Sequence, residues 1–270
     1  MLNEMTGFFM SAFHFPGTNV TLVIIAIALG LVFGACWLAA YWPPLFQQPW
    51  LWLMAAVGAI LTWTAIAFIQ IPLQGLAGNA LLSFWDEQTL MKWLLLAGIP
   101  QILLSGLVQE GSKMVPMVVF WWRNNRNISP VMGLTAGAVV GAGFGVFEAI
   151  WVHNTMLVSG WSWSLVAVHG FPALLGFWER FFAVGLHIAV SALAGYGLAK
   201  GMGWQFYLIA SVLHAIANYA VVLMSVGILN SILLEIYIAV LTLAITAIAL
   251  WLRWRKSWDE VKDDSVAFSG

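Results

Sequence analysis

Seven stretches of roughly twenty or more apolar residues constrain this chain most, because about 20 helical residues cross a bilayer core about 30 Å thick. They cover 20–41, 50–76, 90–122, 131–153, 177–199, 204–226 and 228–254. A soluble domain carries about 25% charged residues to face water, whereas 8% of these 270 residues are charged and 62% are hydrophobic. The pattern predicts an all-α fold, a polytopic transmembrane helical bundle of about seven spans. The third stretch, 33 residues with Pro100 inside it, is too long for one untilted crossing. It predicts a kinked helix or two pieces meeting near Ser105 and Gly106, and with two pieces an eighth span. Residues 1–256 read as one transmembrane domain with its motif-bearing core at 90–226, and 257–270 as a short, solvated cytoplasmic tail.

Other classes fall away on composition. The 17 Trp and 17 Phe rule out disorder, and a net charge of -1 provides no field for nucleic acid. The single cysteine, Cys36, excludes an internal disulfide and a cysteine-based zinc site. With no Lys or Arg ahead of the first apolar run, a retained first helix is expected in place of a cleaved signal. Cytoplasmic loops hold an excess of Lys and Arg. Seven spans put Arg123, Arg126, Lys200, Arg253, Arg255, Lys256 and Lys262 on the side of the C-terminus, with only Lys92 and Arg180 near the other. A multi-pass protein with its N-terminus outside and its C-terminus in the cytoplasm is expected. Asn19-Val20-Thr21 matches a glycosylation sequon, a pattern common by chance.

An ionisable side chain in a bilayer costs at least about 2.5–3.5 kcal/mol, so each one needs a reason. Glu110, Lys113, Glu148, Arg180, His187, His214 and Glu235 all fall in or at these stretches, with Asn218 as an uncharged companion. Glu110 and Lys113 are three apart on one helix face and can neutralise each other. Arg180 and His187 lie two turns apart on one face, and His214 and Asn218 share another. Antiparallel packing of consecutive spans would bring Glu110, Glu148, His187 and His214 from four helices to intermediate depths in one cavity. In the fourth stretch Gly133, Gly137, Gly141 and Gly145 repeat every four residues, a stripe that lets helix backbones approach closely in lipid. Glu148 projects from roughly that face.

Two carboxylates and two imidazoles can activate a water in two ways. A carboxylate can act as general base while His and Asn steady the oxyanion. Alternatively, His and Glu can hold a divalent metal that acidifies the water. HExxH and GxSxG are absent, and Ser191 reads as a packing serine. The order Glu110-x-x-Lys113, Phe144-x-x-x-Glu148, Arg180-(six)-His187-(seven)-Gly195 and His214-x-x-x-Asn218 resembles the four-motif pattern of PrsW-type intramembrane proteases, over about residues 109–218. That group belongs to the wider superfamily of CAAX prenyl proteases and bacteriocin-processing enzymes, and YhfC-type membrane peptidases are an equally near neighbour.

The resemblance implies an intramembrane peptidase of the prokaryotic plasma membrane, acting on a membrane protein or lipidated peptide. It places Glu110 and Lys113 in the first catalytic motif, Glu148 in the second, His187 in the third, and His214 with Asn218 in the oxyanion-stabilising or metal-binding fourth. Arg180 would orient or neutralise. The metal set it allows is Glu110, Glu148, His187 and His214, with zinc the candidate ion. Gln109 stands where the family usually has the first of two adjacent glutamates, and Ala149 where an Asn often follows the second-motif Glu. An amide cannot take a proton at neutral pH, so Glu110 or Glu148 would have to serve as base. Two alternatives stand beside this reading: a non-catalytic membrane scaffold of the same fold, which Gln109 favours, and a proton- or ion-coupled transporter, which would show internal repeats that this sequence lacks.

Other polar and aromatic residues read as structural. Glu235 is expected to be an interhelical hydrogen-bond partner. His153 and His169 should lie at or beyond the outer end of the fourth span, within reach of water, and His14 falls in the N-terminal segment. Trp121, Trp122, Trp161 and Trp163 suit the headgroup belt. The uncharged stretch 159–176 should lie on or dip into the outer leaflet, where a substrate gate could form.

Overall fold

The computed structural model describes residues 19–267, with side chains described for 19–255. His14 therefore lies outside the described residues, as do the side chains of the whole expected tail. Among the described residues seven helices are long and apolar enough to span a bilayer, the number expected, and the alternative eighth span is not among them.

The helices are α1 (Val20–Ala39), α2 (Trp50–Ala65), a π-helical turn (Ile66–Gln70), α3 (Ile71–Phe84), α4 (Glu87–Lys92), α5 (Leu94–Ala97) and α6 (Ile99–Arg123). There follow α7 (Pro130–Val158), α8 (Trp163–His169), a 3-10 turn (Phe171–Leu174), α9 (Leu175–Ala199), α10 (Gly203–Ser225) and α11 (Ser231–Ala267). The second span thus runs through the π turn into α3 and ends at Phe84, about two turns beyond the expected end at residue 76. Asn19 caps α1, its side-chain oxygen accepting the Thr21 N–H at 3.0 Å. The sequon residue therefore serves as a helix start.

The third stretch breaks elsewhere than expected. The chain interrupts at Trp93 and Gly98, and α6 then runs without a break past Ser105 and Gly106. Pro100 sits in the first turn of α6, where a missing N–H costs no hydrogen bond. Gly106 serves as a close-packing point: a Cβ there would overlap the Ser211 carbonyl of α10.

The bundle is organised around α7 and α9. The most apolar windows of these spans are 72% and 89% buried, against 22% for α1. Both helices are largely Ala, Gly and Val where they meet. A Cβ at Gly133, Gly137 or Gly141 would strike the carbonyls of Gly195, Ser191 and His187 respectively, so the stripe brings the two backbones into contact. The buried Ser191 is part of that contact. On other sides α1 and α2 pack against α7, α10 and α11 against α9, and α6 against α10, α2 and α7. Gly143 and Gly58 provide a second close approach, between α7 and α2, reinforced by the Thr62 hydroxyl donating to the Phe144 carbonyl at 3.1 Å.

Two expectations are corrected here. His153 does not sit in water: α7 continues to Val158, and the ring is fully buried between Phe33 and Phe177, neither nitrogen having a hydrogen-bond partner. Glu235 makes its interhelical bond through the main chain and not the side chain: its carbonyl accepts the Trp178 indole N–H at 3.4 Å, while its buried Oε2 has no partner. His169 is exposed as expected. The 159–176 stretch folds as α8 and the 3-10 turn, with Gly160 and Gly170 at positive φ where only glycine is unstrained.

Candidate active site

Four helices deliver polar side chains to one buried point. α6 contributes Glu110 and Lys113, one turn apart as the i, i+3 spacing requires, with an Nζ–Oε1 distance of 2.5 Å and both essentially inaccessible. α10 contributes His214, whose Nδ1 lies 2.6 Å from the same Oε1. α9 contributes His187, whose Nδ1 lies 3.1 Å from Lys113 Nζ and whose Nε2 lies 3.0 Å from Glu148 Oε2 on α7. The His187 and His214 rings stand edge to face, 5.2 Å apart. Phe144 closes the floor, its ring 5.0 Å from both the Lys113 ammonium and the His187 ring.

The glycine stripe accounts for this placement. Gly145 lets α9 approach until His187 lies against α7, and Glu148, three residues on, projects over the same contact. Arg180, two turns before His187 on α9, reaches Glu148 Oε2 with its NH1 at 3.2 Å. Arg180 also pairs with its neighbour Glu179, whose only signal in sequence is its place beside Arg180 at a span end.

The hydrogen-bonding pattern assigns roles by valence. An ammonium only donates, so His187 Nδ1 accepts from Lys113 and Nε2–H donates to Glu148. Glu148 thereby orients the imidazole and turns its lone pair inward. One ligand atom each from Glu110, His187 and His214 lies within 4.8 Å of the others. Glu148, expected among the metal donors, stands outside that group and behind His187. Glu110 Oε2 is buried with no hydrogen-bond partner. Asn218 bonds outside the cluster: its amide donates to Ser105 Oγ at 2.9 Å. The same Ser105 oxygen accepts from Gln109 Nε2 at 3.4 Å, and Gln109 also donates to Gln70 Oε1 at 2.9 Å. Gln70 and Ser105 were not expected as neighbours of the site. Their signal was the four-residue spacing of polar residues, 70 with 74 and 101 with 105 and 109, within otherwise apolar stretches.

A family model described as PrsW family intramembrane metalloprotease matches residues 47–250. The chain belongs to that family. In this PrsW-family chain the matched segment starts beyond α1 and takes in every helix that carries a residue of the cluster. No curated protein and no solved structure matches the chain.

The cluster fits the ion that the family's description implies. One carboxylate and two imidazoles are a donor set that suits zinc, and the orphaned Glu110 Oε2 is a buried acceptor awaiting a partner. The carboxylate behind His187 is the usual support of a metal-bound histidine. The cation facing these donors is the Lys113 ammonium, on a flexible stem that can withdraw.

Proposed function

We propose that this protein is an intramembrane endopeptidase that hydrolyses a peptide bond of a membrane-anchored protein or lipidated peptide at the Glu110–His187–His214 centre. The observation that carries this reading is the three-donor cluster itself, buried at the meeting of α6, α9 and α10 with Glu148 behind it. A buried carboxylate, two imidazoles and an ammonium are costly in lipid, and a structural role needs no more than one pair of them.

Glu110, His187 and His214 would hold a divalent ion such as zinc, which when bound supplies Lewis-acid polarisation and makes water acidic near neutral pH. Glu110 would lend the ion Oε1, the oxygen now facing Lys113 and His214, while Oε2, buried without a partner, takes the proton from the attacking water; the neighbouring Gln109 has no basic atom. The Lys113 ammonium, once withdrawn from the donors, is the positive group that would offset negative charge developing on the tetrahedral oxygen. Glu148 holds His187 in the productive tautomer, and Arg180 holds Glu148 in place through its ion pair. Asn218 is a positioning residue, fixing Ser105 and through it Gln109. Lysine and arginine placement supports an N-terminus outside and a C-terminus in the cytoplasm of a plasma membrane.

A non-catalytic member of the fold is the second reading, favoured by Gln109 in the place of the leading glutamate. Both are tested by reconstituting the chain with a pool of synthetic single-span peptides in ¹⁸O-water. The peptidase reading predicts new C-termini carrying ¹⁸O from the wild type and about 10²–10⁴-fold less from Glu110→Gln. Equal yields from the two proteins contradict it.

A further inference from the structure

The cluster is almost closed. Glu110, Lys113, His187 and His214 are each 3% exposed or less, yet hydrolysis consumes a water at every turnover. Two polar routes connect the cluster to the surface. Glu148 and Arg180 form one, and their polar atoms are tied in ion pairs. The other is a file of side-chain amides along the seam between α3 and α6, and it resembles a hydrogen-bonded chain of solvent.

Within that file Gln109 Nε2 donates to Gln70 Oε1, and Gln70 Nε2 donates to Gln74 Oε1 at 3.4 Å. Gln74 Nε2 donates to the Gln101 carbonyl at 2.8 Å, and Gln101 Nε2 returns a bond to the Gln74 carbonyl at 3.0 Å. Gln101, Ser105 and Gln109 follow one another every four residues down one face of α6 and end beside Glu110. Burial grades along the file: Gln70, Gln74 and Gln101 are half-buried, Ser105 and Gln109 buried. At the inner end Gln109 Oε1 is buried with no partner, an acceptor placed one residue from the proposed base. Past Gln101 its chain neighbour Pro100 borders a mostly apolar cavity of about 440 Å³, which none of the file's glutamines lines. The π turn at Ile66–Gln70 supplies Gln70 to the file, and such turns recur at functional sites. Helices α3, α4 and α5 contain no buried residue, so this wall of the bundle is held more loosely than the rest.

We infer that the α3–α6 seam is the water inlet of the site: Gln70, Gln74, Gln101 and Gln109 conduct water along the seam from its half-buried end at Gln101 to Glu110. The inference rests on the hydrolytic reading for its purpose, while its test does not. An interhelical clasp would use the same amides and stay dry, so wetness decides between the two.

Thiol reactivity in native membranes measures it, with Cys36 replaced by Ser. A Cβ at Gly78 would meet only Gln101 Nε2, at 3.4 Å, so Gly78→Cys places a thiol in the seam and leaves every glutamine in place. Gln74→Cys probes the same seam deeper, and Leu76→Cys, on the exposed face of α3, is the lipid-facing control. A charged thiosulfonate should modify Gly78→Cys and Gln74→Cys at least about tenfold faster than Leu76→Cys, because the reactive thiolate forms only where water reaches it. Equally slow reaction at all three positions would show a dry clasp and overturn the inlet. Equally fast reaction at all three would show α3 wetted on every side and overturn it too. Labelling needs no substrate, so a wet seam beside an unimpaired Glu110→Gln enzyme would leave the inlet standing and refute the catalytic reading.

Discussion

The α7–α9 pair and the corner made by α3, α4 and α5 are built on opposite principles. In the pair, four glycines on α7 place the two backbones in contact and nearly nine-tenths of the best α9 window is inaccessible. In the corner no residue is buried, and α3 is tied to α6 by glutamine amides where the pair uses packed carbons. His187 and Glu148 come from the pair, and the seam that adjoins Gln109 comes from the corner. Lipid offers helices little hydrophobic driving force, so close backbone contact makes rigidity and polar seams leave a route that can open. The site sits between a scaffold that cannot yield and a wall that can.

The comparison breaks most visibly if glycines in the two regions prove alike. Gly141→Val drives a side chain into the His187 carbonyl and should destabilise by about 3 kcal/mol or more. Gly75→Val on α3, where a Cβ meets nothing within 4 Å, should stay within about 0.5 kcal/mol. Unfolding temperatures in one detergent compare them, and similar losses would abolish the distinction.

Glu148→Gln tests whether the rigid pair supports the centre from behind. It should lower zinc affinity by about 10–100-fold, read by competition with a chromogenic chelator, because removal of a carboxylate behind a ligating histidine has that effect. His153→Phe sharpens the picture of the pair's outer end. The ring is buried with both nitrogens unpaired, so an apolar ring of similar shape should raise stability by about 1 kcal/mol.

The smallest effect is at the corner's exposed turn. Asp86 accepts the Thr89 N–H at 2.7 Å at the start of α4, and that bond holds its carboxyl below the usual carboxylate range. The cap's contribution is therefore present above about pH 4, the unfolded range, and is lost as pH falls through the lower folded value. Faster exchange of the Thr89 amide in acid, absent from the pH profile of Asp86→Asn, is the expected signature.

The spans, the glycine stripe and the convergence of Glu110, Lys113, Glu148, His187 and His214 were readable from apolar run length and from helical spacing. Those patterns depend on the 3.6-residue period alone. What escaped depends on neighbours in space. Ser105 and Gly106 resemble a hinge in sequence, yet Gly106 is pinned under the Ser211 carbonyl and the real break is at Trp93 and Gly98. His153 reads as an interfacial histidine until Phe33 of α1 and Phe177 of α9 close over it. Asn218 shares a face with His214 by spacing, but its bond to Ser105 turns it toward Gln109. The glutamines repeat every four residues, yet that spacing alone does not say which helix answers them.

The most direct test of the centre is the divalent metal content of the detergent-purified chain, wild type beside the His187→Ala, His214→Ala double variant. The account predicts near-stoichiometric zinc in the wild type and its loss in the variant. No ion in the wild type, or equal content in both proteins, would contradict it.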